Sequence, residues 1–302
     1  MANIRNLKRR IKTAKNIAQT TKAMEMVAAS RMKKAQLQAL EGRPYSENLL
    51  MITQRLLGRV KIKEGTKLEK YFSKINDENK KTAMIIITPD KGLCGALVSN
   101  FAKYILRFIR AEGKTILDYD FIIIGKKGKD AILRLNGNII AQFDSGMTQP
   151  KYETVPPIVL LFNQAYQNNQ YSKILLVYTH FINTLSQQPK IIQLLPFLGF
   201  LQEEKEQLQN QENINLSEYL FEPDPENVLT NLLPHYLENE LYHARLEAYA
   251  SEQSARMTAM KNATDNAKDI IGELTLFYNK ERQQVITSEI ADIATATLSI
   301  SK

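Results

Sequence analysis

The chain has 302 residues, 44% hydrophobic and 24% charged, with one cysteine, three histidines and a formal net charge of +8. One cysteine excludes an internal disulfide and any multi-cysteine metal site, and the scattered His180, His235 and His243 suggest no histidine metal cluster. No stretch approaches the roughly 18 consecutive apolar residues of a bilayer span, and at about 150 residues per domain the length points to two domains.

Residues 1–41 contain neither Gly nor Pro, and from His235 onward there is no Pro and only Gly272. Two breaker-free ends around a broken middle predict long terminal helices flanking a compact domain. In the first segment Ile4, Leu7, Ile11, Ala14, Ala18 and Thr21 alternate spacings of three and four, the pattern of a coiled-coil seam. Asn3 suits its cap. Met26, Val27, Ala28 and Ala29 widen the apolar pattern and predict burial on more than one side; Gly42 and Pro44 predict a kink or interruption before Leu49–Leu57. Lys8, Arg9, Lys12 and Lys15 fall off the seam. Residues 1–50 hold 11 Lys/Arg against 3 Asp/Glu, and the rest of the chain balances. That asymmetry points to an acidic partner: nucleic acid, anionic membrane or an acidic protein surface. Acid-poor amphipathic N-termini also characterise transit peptides. Removing this segment, however, would leave the C-terminal seam without a partner.

The middle alternates strands and helices. Thr82–Thr88, Phe121–Gly125 and Lys173–Phe181 read as strands, with Ile191–Leu195 as a fourth. Ala96–Ala111 and Thr154–Asn169 read as helices, the latter with Pro156 and Pro157 in its first turn. This alternation predicts an α/β layer with parallel strands. The turn after the first strand stands where a phosphate loop would, but it lacks GxxxxGK[ST] and GxGxxG and reads as a tight connection, with Cys94 as a small buried residue. Gly125–Lys129 (GKKGK) reads as a solvated turn, His180 as a structural histidine, and Glu203–Asn215 as a polar surface loop. There is no GxSxG, HExxH or paired-carboxylate signature. No catalytic residue, cofactor or metal site is expected.

Asp224-Pro225 reads as an N-cap followed by proline at the first helical position. Beyond it Ala263, Ala267, Ile270, Leu274 and Phe277 form a seam that breaks near Glu281 and resumes at Ile286, Ile290, Ile293, Thr297 and Ile300. If continuous from His235, this helix spans about 100 Å at 1.5 Å per residue. Its apolar tip then needs another protein to cover it.

The run from Arg10 through Thr20-Thr21-Lys22-Ala23-Met24-Glu25-Met26-Val27-Ala28-Ala29-Ser30 closely resembles the N-terminal helix of the gamma subunit of F-type ATP synthases. Asp90-Lys91-Gly92-Leu93-Cys94-Gly95 resembles that family's Asp-Arg-Gly-Leu-Cys-Gly turn. Ala250-Ser251-Glu252-Gln253-Ser254-Ala255-Arg256-Met257 and Tyr278-Asn279-Lys280-Glu281-Arg282-Gln283 through Ile290 resemble its C-terminal signature. The resemblance implies an α/β fold: a long antiparallel coiled coil of N- and C-terminal helices plus a central Rossmann-like domain, divided here as 1–57, 58–222 and 223–302. It implies a non-catalytic rotor shaft turning inside a ring of alpha and beta subunits, with a foot that binds the epsilon subunit and the c-subunit ring. ATP chemistry is on beta. Expected ring contacts are Lys8, Arg9, Lys12, Lys15, Lys22, Met24, Arg256, Arg282, Gln283, Thr287 and Glu289; the expected foot turn is Asp90, Lys91, Gly92, Leu93, Cys94 and Gly95.

The resemblance implies a peripheral position with no direct membrane span, and with no evident transit segment or plant insertion the expected location is the cytoplasmic face of a bacterial inner membrane. Two departures stand out. Ala296 replaces the usual Gly near the tip, which favours helix by about 1 kcal/mol. The redox cysteine pair of chloroplast gamma subunits is also missing, so thiol regulation of that kind is not expected. Competing readings are a nucleic-acid-binding coiled coil using the basic stripe and a protein lying on anionic lipid.

Overall fold

The runs TAMIII and YDFIII lack polar alternation, as strands covered on both faces do. They form β1 (Thr82–Ile87) and β2 (Tyr119–Ile124), buried along their whole length. The computed structural model describes residues 2–60, 62, 66–72, 80–146, 148–197 and 221–300; the polar loop expected at 203–215 lies outside them. The remaining strands are β3 (Asn138–Phe143), β4 (Lys173–Phe181) and β5 (Gln187–Leu195). The helices are α1 (Ala2–Leu57), α2 (Lys67–Phe72), α3 (Leu97–Ala111), α4 (Lys126–Arg134), α5 (Pro156–Gln167) and α6 (Pro225–Ile300). The chain divides into two units, Ser30–Ala255 and Met1–Ala29 with Arg256–Lys302.

In the unit Ser30–Ala255 the sheet order is β3-β2-β1-β4-β5. β1 is parallel to β2 and β4, β2 is parallel to β3, and β5 is antiparallel to β4. Successive side chains of β1 alternate faces. Met84 and Ile86 join Phe121, Ile123 and Val177 beneath α3 and α4, which contribute Phe101, Ile105, Ile109 and Ile132. Ala83, Ile85 and Ile87 join Ile122, Ile174 and Leu176 on the opposite face. There they meet α5 through Ile158 and Phe162, α1 through Leu56, and α6 through Leu229, Leu233, Leu237 and Leu241. Each fully buried large side chain contributes about 1.5–3 kcal/mol, so these two layers hold the unit together.

Four details depart from the sequence expectation. The basic Gly125–Lys129 stretch is not a solvated turn: it opens α4, with Gly125 at φ +106°. The backbone of Gly128 donates to Thr88 Oγ1 at 2.8 Å, which lays α4 against the end of β1. β3 has no counterpart in the sequence reading, because Ile140 interrupts its alternation and the strand is a half-exposed edge. β5 begins at Gln187 rather than Ile191; its polar first half includes Pro189, which an edge strand tolerates. Finally, Gly42 and Pro44 do not interrupt α1. The missing proline N–H costs about 3 kcal/mol in a helix interior, and contacts to α6 on both sides of it outweigh that loss. Gln38 donates to Tyr242 OH, Ser46 Oγ lies 2.6 Å from His243 Nε2, and Leu49 is buried.

α6 starts as the sequence suggests. Asp224 Oδ1 accepts from the Asn227 amide at 2.9 Å, Pro225 follows at the first helical position, and these bonds hold the Asp224 carboxyl below its ordinary value. The helix then runs through Pro234, and through Ala296 to Ile300.

A β-carbon on Gly125 would lie 1.9 Å from the Thr88 carbonyl oxygen, at a φ that L-residues rarely adopt. Gly125→Ala is therefore expected to destabilise the chain by about 3 kcal/mol or more, read as a lowered urea midpoint at unchanged slope.

Candidate functional site on the paired helices and in the sheet crevice

In the unit Met1–Ala29 with Arg256–Lys302, Ile4, Leu7, Ile11, Ala14, Ala18 and Thr21 are all buried or half-buried, as their spacing predicts. The pairing is pinned where Thr21 Oγ1 and Thr264 Oγ1 lie 2.7 Å apart. On α6 the residues from Arg256 to Met260 are all buried or half-buried, as is Ala263, and from Met260 onward a stripe of Thr264, Ala267, Ile271, Leu274, Tyr278, Glu281 and Val285 continues inward. These also step by four and three. Counted outward from that pair in antiparallel sense, Ile4 falls opposite Glu281.

This corrects the expected seam. Ile270 and Phe277, placed on it by spacing, are 50% and 51% exposed, and their neighbours Ile271 and Tyr278 face inward instead. Nor does the stripe break at Glu281, which lies on it. Arg282 and Gln283 lie off it, exposed, as do Thr287 and Glu289. Met26 and Val27 are exposed rather than buried on several sides, because a helix with one partner buries one stripe. Lys8, Arg9, Lys12, Lys15, Lys22 and Met24 are exposed as well, and Arg256 is half-buried. Lys22 bonds Glu25 at 2.9 Å. Lys8, Lys12 and Lys15 recur at i, i+4 and i+7 and so share one face.

The outer surface of this unit is therefore basic and apolar together. Ile17, Met24, Met26 and Val27 of α1 are exposed, as are Ile270, Leu276, Phe277, Ile286, Ile290 and Ile293 of α6. Exposed apolar area on that scale marks a protein-facing surface. The side chains of Thr297 and Ile300 lie outside the described residues.

The foot-turn residues lie in the other unit. Leu93 and Gly95 take positive φ, Leu93 is exposed, and Cys94 is buried. Asp90 Oδ1 accepts from the amides of Lys126 at 3.0 Å and Ser145 at 3.4 Å, and Oδ2 from Gly146 at 2.9 Å. One carboxylate thus gathers the loops after β1, β2 and β3 at the carboxyl edge of the sheet.

In an open parallel sheet of this order, ligands enter a crevice at that edge, beside the central strand. Here α6 occupies it. Arg245, 4% exposed, donates to Thr154 Oγ1 and to the Ser145 carbonyl at 3.4 Å; burial lowers its pKa, and Tyr242 and Asp90 oppose that shift. Ser251 Oγ donates to the Thr179 carbonyl at 3.0 Å, and His180 Nδ1 meets Glu247 Oε2 at 2.6 Å. Phe181 packs with Ala35, Tyr249 and Ala250. The chain's own helix takes up these groups at the carboxyl edge. Among the described residues no group of three or more His, Cys, Asp or Glu is arranged to hold a metal.

A family model described as ATP synthase matches residues 3–299. The ATP synthase gamma chain of Chloroflexus aurantiacus is 40% identical over 306 residues, covering 100% of both chains. That of Dehalococcoides mccartyi is 41% identical over 293 residues, covering 97% of each. The chain belongs to the ATP synthase gamma-chain family. Its fold matches a chain in the Euglena gracilis mitochondrial ATP synthase OSCP/F1/c-ring assembly, with TM-score 0.68, 19% identity and coverage of 99% and 95%. It also matches one in the Tetrahymena thermophila mitochondrial ATP synthase central stalk and c-ring, with TM-score 0.57, 26% identity and coverage of 81% and 99%. The nucleic-acid reading finds no support in these relatives. Among the described residues no helix is long and apolar enough to cross a membrane.

The sequence reading missed a set of polar contacts that ties α1, α6 and Tyr152 together in the unit Ser30–Ala255. Tyr45 OH meets His235 Nε2; Tyr152 OH donates to Glu238 Oε2 at 2.7 Å, and burial, with Glu238 beside it, pushes the Tyr152 phenol up. Asn239 Nδ2 donates to Ser46 Oγ at 2.9 Å, which in turn meets His243. Its members are far apart in sequence, so no local pattern announces it. Burial lowers the His243 pKa from 6.5, with Glu247 opposing. The folded chain therefore holds this proton less well than the unfolded one, and stability is lost as pH falls below 6.5 toward the lowered value. The wild-type urea midpoint is expected to fall relative to that of His243→Gln across this range and to run parallel to it above neutrality.

Proposed function

We propose that this chain is the central rotating shaft of an F-type ATP synthase, coupling rotation of an ion-driven c-subunit ring to conformational cycling of the catalytic beta subunits. The observation that carries the reading is the paired-helix unit whose outside is basic and apolar at once, in a chain aligned over its whole length with ATP synthase gamma chains. It is a non-catalytic subunit. The coiled-coil segments 1–57 and 223–302 bear the shaft, and 58–222 forms the foot, which contacts the epsilon subunit and the c ring. The shaft turns within a ring of alpha and beta subunits. Relatives from bacteria support a peripheral position on the cytoplasmic face of a bacterial inner membrane.

Rotation needs attraction that does not lock. Lys8, Arg9, Lys12 and Lys15 supply long, mobile cations at about 0–1 kcal/mol each, so acidic surfaces of the ring are attracted at many angles. Apolar residues slide with little directional preference. A directional contact is then what distinguishes one angle from another. Arg282 and Gln283 supply it, because a guanidinium grips a carboxylate through a planar fork that neither Lys nor Leu reproduces.

Co-expression with alpha and beta subunits tests the reading. The chain is expected to purify with them in fixed stoichiometry, and ATP turnover by the chain freed of beta would overturn it. Replacing Lys8, Arg9, Lys12 and Lys15 together by Gln should weaken assembly or coupled synthesis, whereas Lys12→Gln alone should change little. Wild-type behaviour of the quadruple variant would reduce the stripe to a solvated face.

Arg282→Leu is expected to slow ATP-driven turnover and synthesis while leaving subunit stoichiometry intact, since a contact made and broken in each cycle acts on a barrier. Steady-state rates across ATP concentrations decide this. An unchanged rate, or a defect confined to assembly, would remove Arg282 from the ring contact.

A further inference from the structure

Within Ser30–Ala255, α6 presents an apolar row, Leu229, Leu233, Leu237, Leu241, Ala244 and Ala248, to the sheet and its neighbouring helices. Such a row resists separation well but rotation poorly, because apolar contacts carry no preferred direction. The polar ties at the carboxyl edge of the sheet differ in kind. Arg245 and Glu247 are two residues apart, hence about 200° around the helix, and they flank the row on opposite sides. On one flank Arg245 reaches Thr154 and Ser145. On the other, Glu247 bonds His180, and Ser254 Oγ donates to the Thr184 carbonyl at 2.8 Å. A helix stitched on both flanks cannot turn about its own axis without breaking bonds on one of them.

The two flanks are not equal. The His180–Glu247 pair has side chains 38% and 32% exposed, open to competition from water. Arg245 is buried, and its guanidinium acts on the same loop that Asp90 holds: Asp90 accepts the Ser145 amide while Arg245 donates to the Ser145 carbonyl. A buried charge-assisted bond is about twice as strong as a neutral one, and breaking it strands a desolvated cation.

We infer that Arg245, acting through Ser145 and Thr154 on the loop anchored by Asp90, is the positioning residue that fixes α6 against rotation in the sheet crevice and so stiffens torque transfer. The inference rests on the shaft reading above. Arg245 touches no reacting group; it sets how much twist is stored before the ring responds.

The test uses the assembled complex of this chain with alpha and beta subunits, the ring held on a surface, the rotor arrested by nucleotide, and a probe on the foot. The angular variance of the probe reports torsional stiffness. In Arg245→Met, which keeps length and apolar bulk, the variance is expected to rise by about twofold or more as a charge-assisted tie is lost. Arg245→Lys, which keeps the charge but not the fork, should recover part of the difference. Thr154→Val removes one acceptor without removing volume and should raise the variance in the same direction. Thermal unfolding of each variant separates a softened joint from a weakened fold, since a purely structural role moves the melting temperature without moving the variance. Wild-type variance in assembled Arg245→Met and Thr154→Val overturns the inference. If Arg245→Met does not assemble, Thr154→Val alone decides, in either direction. Failure of the wild-type chain to join alpha and beta subunits would instead strike the shaft reading.

Discussion

A helix with a single helical partner buries one stripe, and whatever apolar residues it carries elsewhere remain in water. In the unit Met1–Ala29 with Arg256–Lys302 that stripe takes in Leu7, Ala14 and Ala28 of α1 and Thr264 and Ala267 of α6. The remainder, from Met26 to Phe277 and Ile293, stays outside. A chain meant to stand alone would place Lys or Glu there. Apolar residues off the seam are a cost in the isolated chain, and they become contacts only when a surrounding protein covers them.

The same constraint explains where the sequence was legible and where it was not. On α1 apolar positions fall three and four apart with a single competitor, Ile17 beside Ala18, and the seam read from Ile4 to Thr21 is the seam observed. On α6 apolar residues come in adjacent couples, Ile270 with Ile271, Phe277 with Tyr278 and Val285 with Ile286, so two stripes run side by side. Spacing alone cannot choose between them. The register at Thr21 and Thr264 chooses, and that is a relation between residues 243 apart. The central strands were legible because burial on both faces leaves unbroken runs of Ile. Strand β3 was not, because an edge with one face in water tolerates Ile140 outside. Helix α4 was hidden by its lysines, which describe its solvent side and say nothing of Gly125 and Gly128 pressed against Thr88.

Of the candidate site, the charged face was legible and the joinery was not. Lys8, Lys12 and Lys15 share a face by helical geometry, and no fold is needed to see it. The Asp90 turn could be located but not explained, since the groups it binds are backbone amides contributed by other loops. Arg245 carried no signal: in sequence it is one cation in an ordinary helical stretch, and only the closed sheet edge makes it a buried one.

A parallel sheet of this order usually earns its place by holding a ligand at its carboxyl edge. Here the edge holds α6, and the substitution has a physical logic. The crevice offers loop amides, carbonyls and hydroxyls from several strands converging on a small region. A ligand would use them to be recognised and released. A covalently attached helix uses them to be gripped: Ser251 on the Thr179 carbonyl, Arg245 on Ser145 and Thr154, with Asp90 bracing the loop from behind. Because the occupant belongs to the chain, its effective concentration is fixed and the bonds need no turnover. In the shaft proposed above, the geometry that elsewhere gives selectivity would serve as resistance to rotation, which is what a sheet must supply if force is to pass through the helix it carries.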